Sequence, residues 1–303
     1  MWIPHNLLAP LKAETPKPTI LASEAATEER TFVVGFFLRN PVTRAWETDV
    51  LVSQVTASRE VRLDGKPCAV DECANLAGKL EEIIYTFSST SATAALASSF
   101  RDVTGDLDRK ALQYGRGFEI CGWRVADIAH GARWRCIPFR PSALIAEPAS
   151  EDVPQAYRKM LRLYREARSA PSAMWRLLSA GAILNAAVDG IAPFASDSRF
   201  GEHVITMDML VRSGTLISYS SLKGATARDL RDIAEPARRM LLAMLAPSGE
   251  TADLDGGDYH AEGALAALAN LVDLVARDLL LSALRADGFL VAPDANEPVT
   301  VDA

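Results

Sequence analysis

Near residue 150 the spacing of apolar residues along this chain changes from every second position to every third or fourth, and that change limits the folds open to it more than any other feature. Upstream, Thr31-Phe-Val-Val-Gly-Phe-Phe-Leu38 carries aromatic and β-branched residues on both faces, as a buried strand does. Downstream, Leu265, Leu268, Val272, Val275 and Leu279 repeat in steps of three and four, the stripe of an amphipathic helix. A chain of 303 residues is long enough to bury two cores. The expected fold class is therefore α+β: a small antiparallel β/α N-terminal domain followed by an all-α helical bundle. The expected division is 1–30 as an extended, proline-punctuated lead, 31–149 as the α+β domain, 150–290 as the bundle and 291–303 as a flexible tail.

Within the upstream half, 31–38 and 49–56 are expected to pair, and Val61-Arg-Leu63 followed by Asp64-Gly65 adds a third strand and a tight turn. Asp71 opens an expected helix whose Cys73, Leu76, Leu80, Ile83, Ile84 and Phe87 share one face and cover the sheet. The Ser/Thr-rich stretch 88–99 reads as a solvated loop, and a short helix over 107–114 ends at Gly115. The runs 118–125 and 133–139 form an expected hairpin around 127–131. Downstream, Asp152 and Gln155 approximate a capping box for a helix running through Tyr164. A second helix starts at Pro171, turns Met174, Trp175, Leu178 and Ile183 inward and stops at Asp189-Gly190. Thr206 to Gly214 is helical, and Thr226 caps a helix that Pro236 should kink or break near Ala234. In the last helix, closed by Gly288, Asp273 and Arg277 pair four residues apart on a face of their own.

Composition narrows the function classes. Lys plus Arg number 32 against 39 Asp plus Glu, a net charge of −7, so the total gives no general attraction to nucleic acid or anionic membrane. No basic segment precedes an apolar core at the N-terminus, and prolines at 4, 10, 16 and 18 interrupt any such core, so a cytoplasmic location is expected. The apolar run 265–284 carries Asp273, Arg277 and Asp278, too costly for a membrane span. Cysteines 68, 73, 121 and 136 fit no common zinc spacing and read as reduced thiols.

Candidate sites come with bland alternatives beside them. Arginines 116, 124, 133, 135 and 140 stand against Glu119 and Asp127, a local balance of +3, interleaved with Trp123, Trp134 and His130. Arg116, Trp123, Arg124, Arg133 and Arg135 are the candidate ligand-binding residues, able to grip an anion or stack on a ring. A half-buried hairpin with arginines on its solvated face gives the same pattern. The helix over 157–168 carries Arg158, Lys159, Arg162, Arg165 and Arg168 against one Glu166, with Arg158, Arg162 and Arg165 on one face, which reads as solvated or docked on acidic groups of the same chain rather than as a nucleic-acid contact. Asp255, Asp258 and His260, beside Asp253 and Glu262, are weak metal-ligand candidates; the alternative is that Asp258 caps the last helix and Glu262 favours its dipole. Glu202-His203 beside Asp208 is a possible acid/base pair. No Gly-x-Ser-x-Gly, phosphate loop, His-Glu-x-x-His or dinucleotide fingerprint occurs, so no catalytic residue is assigned and no cofactor is expected.

The runs Ala156-Tyr-Arg-Lys-Met-Leu-Arg-Leu-Tyr-Arg165, Val204-Ile-Thr-Met-Asp-Met-Leu-Val-Arg-Ser-Gly214 and Ala264-Leu-Ala-Ala-Leu-Ala-Asn-Leu-Val-Asp-Leu-Val-Ala-Arg-Asp278 resemble the MauJ proteins of bacterial methylamine-utilization clusters. The resemblance extends over most of the chain. It implies an accessory, non-catalytic role in methylamine oxidation, as a binding or maturation factor for methylamine dehydrogenase, with a protein of that pathway as partner. The helical half is also similar in layout to HEPN-type bundles, which implies the alternative of a nucleic-acid-processing or hydrolytic enzyme. HEPN nucleases place a His four to six residues after an Arg; here Arg238-Arg239 is followed by Met-Leu-Leu-Ala-Met-Leu and no His before His260, which counts against ribonuclease chemistry. A third expectation is a homo-oligomer assembled through the last helix, whose alanines 264, 266, 267, 269 and 276 widen its apolar surface.

Overall fold

The computed structural model describes residues 12–39, 56–76, 78–114, 117–136, 154–170, 172–196, 198–244 and 258–289; the strand expected over 49–55 and the tail from 291 lie outside these. The described residues form two compact units, one built from 12–136 with 258–263 and the other from 154–244 with 264–289.

The first unit opens with a helix inside the lead that the prolines suggested was extended, α1 (Lys17–Ala25). Pro16 and Pro18 do not oppose it, because proline at the start of a helix removes only donors that would lack a partner there. Six strands follow in one antiparallel sheet of order β2-β3-β4-β1-β5-β6: β1 (Arg30–Arg39), β2 (Thr56–Leu63), β3 (Lys66–Ala74), β4 (Leu80–Ser89), β5 (Glu119–Asp127) and β6 (Ala132–Cys136). The Asp64-Gly65 turn joins β2 to β3 with both residues at positive φ, 49° and 80°, the conformation that matches strand twist in a two-residue hairpin. β1 spends one edge on β4 and the other on β5, so the expected pairing of 31–38 with 49–56 does not occur.

The helix expected from Asp71 is instead the β3–β4 hairpin. Leu80, Ile83, Tyr85 and Phe87 are buried while Glu81 and Ser88 are exposed; from Ile83 onward the alternation is that of a strand. Of the helix-like spacings there, the four-residue step from Ile83 to Phe87 also fits that alternation, and the β-branched and aromatic content of Ile83-Ile-Tyr-Thr-Phe87 decides for the sheet. The helix that covers the sheet is α2 (Ala92–Tyr114), which absorbs most of the expected Ser/Thr loop. Ser91 Oγ accepts from the Ala94 amide at its start, and Ser99 Oγ donates back to Ala95 O at 2.7 Å, so the hydroxyls are satisfied by the helix itself. Ala95, Leu96, Phe100, Val103 and Leu107 then face Phe32, Val34, Phe36, Val70 and Val125 in one core. Full burial of each large side chain stabilises by roughly 1.5–3 kcal/mol.

The second unit is helical: α3 (Gln155–Ser169), α4 (Ala173–Val188), α5 (Met207–Ser213), α6 (Leu216–Tyr219), α7 (Ala227–Met244) and α8 (Tyr259–Ala286), whose first turn belongs to the first unit. Ser172 and Thr206 cap α4 and α5 through side-chain oxygens that accept from Met174 N and Met209 N. Leu177, Ile183, Leu184, Leu230, Leu241, Val272 and Leu279 meet in its core. Three expectations need correction. Trp175 is 46% exposed, because Leu177 and Ile183 rather than Trp175 fill the inward stripe of α4. α7 continues through Pro236, so the helix is not broken near Ala234. Asp273 is fully buried and pairs with Arg168 of α3 at 2.7 Å, so it does not stand on a separate polar face of α8. Alanines 266, 267, 269 and 276 of α8 are themselves buried, so the apolar surface invoked for self-association is already covered.

Candidate functional site

The β5–β6 hairpin sets the candidate site. Arg124 opposes Arg135 and Ala126 opposes Arg133, so the three arginines share one face, while Trp123, Val125 and Trp134 share the other. Trp123 therefore leaves the ligand set: it is 2% exposed and meets Tyr259 edge to face at 6.0 Å, in the core. Arg116 lies outside the described residues.

Arg124 donates twice to Glu82 of β4, Nε to Oε1 at 2.7 Å and Nη2 to Oε2 at 2.9 Å. Since β1 lies between β4 and β5, this clasp crosses β1, and it crosses at Gly35, where a Cβ would stand 2.2 Å from Glu82 Oε1. Only glycine lets the pair close. Burial pushes the Glu82 carboxyl up despite the pull of Arg124, so the clasp sits in a partly dry setting. Beside it, the guanidiniums of Arg124 and Arg135 stand 5.9 Å and 5.8 Å from the centre of the Phe37 ring, within cation–π range. Arg135 Nη1 lies 3.6 Å from Glu14, and its buried Nε has no hydrogen-bond partner. Arg133 is exposed. Arg124 is thus committed to Glu82, whereas Arg133 and Arg135 retain donors for a carboxylate or phosphate.

At the turn of the same hairpin, Asp127 collects Ser23 Oγ at 2.5 Å, Arg30 Nε at 2.7 Å and His130 Nδ1 at 2.9 Å on one carboxylate oxygen. Burial would raise this carboxyl, but the hydrogen bonds from Ser23, Arg30 and His130 outweigh it and hold the group down to about 2. The residue types match a hydrolase triad, but the wiring does not: the serine donates to the aspartate and not to the histidine. Arg30 adds Thr90 O at 2.8 Å and Ser23 O at 2.7 Å, so the network ties α1 and the α2 approach to the sheet.

Of the weak metal candidates, Asp255 lies outside the described residues. Asp258 accepts from the amides of His260 and Ala261 as the cap of α8, and the His260 ring stands against Tyr259 at 5.5 Å. Burial pushes the Glu262 carboxyl up. Among the described residues no group of three or more His, Cys, Asp or Glu side chains is placed to hold a metal ion. Glu202 and Asp208 face Arg228 and Arg212 at 3.7 Å and 3.3 Å, and burial lowers the His203 imidazole despite the opposing pull of Asp278. Arg238 and Arg239 both bind Glu235, at 2.5 Å and 3.0 Å.

One charged cluster was not anticipated. Arg59 of β2 reaches Asp106 and Asp102 of α2 at 3.4 Å and 3.8 Å, Lys110 binds Glu72 at 2.8 Å and Asp106 at 3.0 Å, and the Tyr85 hydroxyl donates to Asp102 at 2.9 Å. Burial depresses the Lys110 ammonium, but its bonds to Glu72 and Asp106 hold it above the ordinary lysine value. Asp102, Asp106 and Lys110 fall at i, i+4 and i+8 on one face of α2, a face hidden by the expectation of a helix over 107–114 only.

The chain as a whole has named relatives. The methylamine utilization protein MauJ of Methylorubrum extorquens (strain ATCC 14718 / DSM 1338 / JCM 2805 / NCIMB 9133 / AM1) is 41% identical over 93% of this chain and 95% of its own length. The chain belongs to the MauJ family. The MauJ proteins of Paracoccus denitrificans and Paracoccus versutus are each 40% identical over 94% of this chain, covering 96% and 95% of their own lengths. The profile of the MauJ N-terminal domain matches residues 5–136, which takes in all six strands of the sheet. No solved structure matches the chain. Among the described residues of this MauJ-family chain, no helix is long and apolar enough to cross a membrane.

Proposed function

We propose that this chain serves methylamine utilization as a cytoplasmic accessory protein that acts by binding, supporting the production or maturation of methylamine dehydrogenase without chemistry of its own. The observation that carries this reading is identity of about 40% with named methylamine utilization proteins through both units of the chain. The side-chain wiring supports the non-catalytic part: Ser23, Asp127 and His130 close on one another and on Arg30, and Glu202 and Asp208 close on arginines. The sheet face that carries Arg133, Arg135 and Phe37 is the proposed ligand contact, with Arg124 held in register by Glu82. Its partner is a protein of the methylamine dehydrogenase pathway.

Deleting the gene and measuring growth on methylamine with dehydrogenase activity in extracts tests the reading. Loss of both, with restoration by the intact gene, is expected. Unchanged growth and activity would remove the pathway role. Hydrolysis of RNA by the purified chain, abolished by Arg238→Ala, would replace the accessory role with a HEPN-like enzyme.

A further inference from the structure

An exposed positive surface runs along α3. Arg158, Lys159, Arg162 and Arg165 are all exposed, and of these only Arg165 has an acidic contact, its own neighbour Glu166 at 3.4 Å. With a rise of 1.5 Å per residue, Arg158 and Arg162 stand about 6 Å apart along the axis and Arg162 and Arg165 about 4.5 Å apart. Like charges at this spacing weaken a helix, and among the described residues no carboxylate is paired with Arg158, Lys159 or Arg162 to offset them. The docking of this stripe on acidic groups of the same chain is therefore absent among the described residues.

We infer that this face of α3 docks a protein partner through a carboxylate-bearing helix whose acidic residues repeat at i, i+4 and i+7. That spacing on the partner reproduces the positions of Arg158, Arg162 and Arg165 and gives three charge-assisted contacts in line. Nucleic acid fits less well. Four cations on a chain of net charge −7 fall short of the set of phosphate contacts on which sequence-independent binding rests. The other exposed residues of α3, Gln155, Ala156, Glu166 and Ser169, offer no ring for base stacking and no long apolar side chain for a membrane surface. The inference deepens the binding role proposed above and depends on that role only for the pathway in which the partner acts.

The test uses the full chain and fluorescence anisotropy with two labelled probes: a synthetic helical peptide carrying Glu at i, i+4 and i+7, and a duplex DNA of equal charge. The wild-type chain binds the peptide more tightly than the DNA, and more tightly at low than at physiological salt. The combined Arg158→Gln, Arg162→Gln and Arg165→Gln chain, with an unchanged circular dichroism spectrum, loses about tenfold in peptide affinity. The lysine triple at the same positions and Arg228→Gln on α7 keep it. Equal binding by the glutamine triple, no peptide binding by the wild type, or preference for DNA overturns the inference. In cells that need the gene for growth on methylamine, the lysine triple restores growth and the glutamine triple does not; full restoration by the glutamine triple also overturns it. If deletion leaves growth unaffected, the pathway role falls while the anisotropy result still decides the docking face.

Discussion

Replacing Asp127 by Asn removes the charge at the centre of the α1–hairpin network while keeping the shape of the side chain. Asp127 is fully buried and Arg30 is 5% exposed, so the substitution leaves a buried guanidinium without its counter-ion. Removing one partner of such a pair costs about 3–5 kcal/mol, and because Asn still accepts from Ser23 the lower end is expected, about 3 kcal/mol at neutral pH. Part of this is visible to pH. The carboxyl goes from 3.8 to about 2 on folding, worth roughly 2 kcal/mol at 1.36 kcal/mol per unit. A depressed carboxyl contributes stability that is fully present above its unfolded value and is lost as pH falls through the folded one. The gap between wild type and Asp127→Asn should therefore shrink by about 1 kcal/mol between pH 7 and pH 3 and continue to close toward pH 2. Urea titrations followed by tryptophan fluorescence report on this unit through the buried Trp123 and Trp134. A loss under about 1 kcal/mol at pH 7, or a gap that does not change down to pH 3, would refute the assignment of Asp127 as a buried, charged keystone.

Three further outcomes are expected. Gly35→Val forces the Glu82–Arg124 clasp open and costs about 1–2 kcal/mol in thermal unfolding, but costs less than half of that in a Glu82→Ala background, where the obstructing oxygen is gone; equal costs in the two backgrounds would show that the clasp is not what requires glycine. Arg168→Met leaves the fully buried Asp273 without the guanidinium that it meets at 2.7 Å and costs about 3 kcal/mol by chemical denaturation; a loss below about 1 kcal/mol would contradict it. Burial pushes the Cys68 thiol up to about 11, so at pH 8 iodoacetamide should label Cys68 after Cys73, Cys121 and Cys136 in the folded protein and all four alike in urea; early labelling of Cys68 would refute its burial.

What the sequence made legible was local. The strand 31–38 and the helix 259–286 carry long, unbroken patterns, and the Asp64-Gly65 turn, the Ser-free stop at Asp189-Gly190 and the Asp258 cap are decided by residues within a few positions of one another. That Arg133 and Arg135 share a face follows from parity alone, whereas Arg124 joins them through the register of the hairpin. What failed was a segment in which two periods overlap: Ile83 and Phe87 fit a helix as well as a strand, Leu80 joins them only at helical spacing, and misreading it hid Glu82 from the site. The remaining gaps are contacts across long separations. Asp127 with Ser23 and Arg30, Arg168 with Asp273, and Arg59 with Asp102 and Asp106 are each set by topology, and one sequence shows no trace of which charge will face which.

Tyr259 packs on Phe100 and Trp123 although it lies 123 positions after Cys136, the last residue of β6. On the ribosome, at about 5–20 residues per second, the sheet is complete roughly 6–25 s before the tyrosine that closes its aromatic core has been made. During that interval Phe100 and Trp123 have an open side, and a gene cut just after the last strand would leave it open permanently.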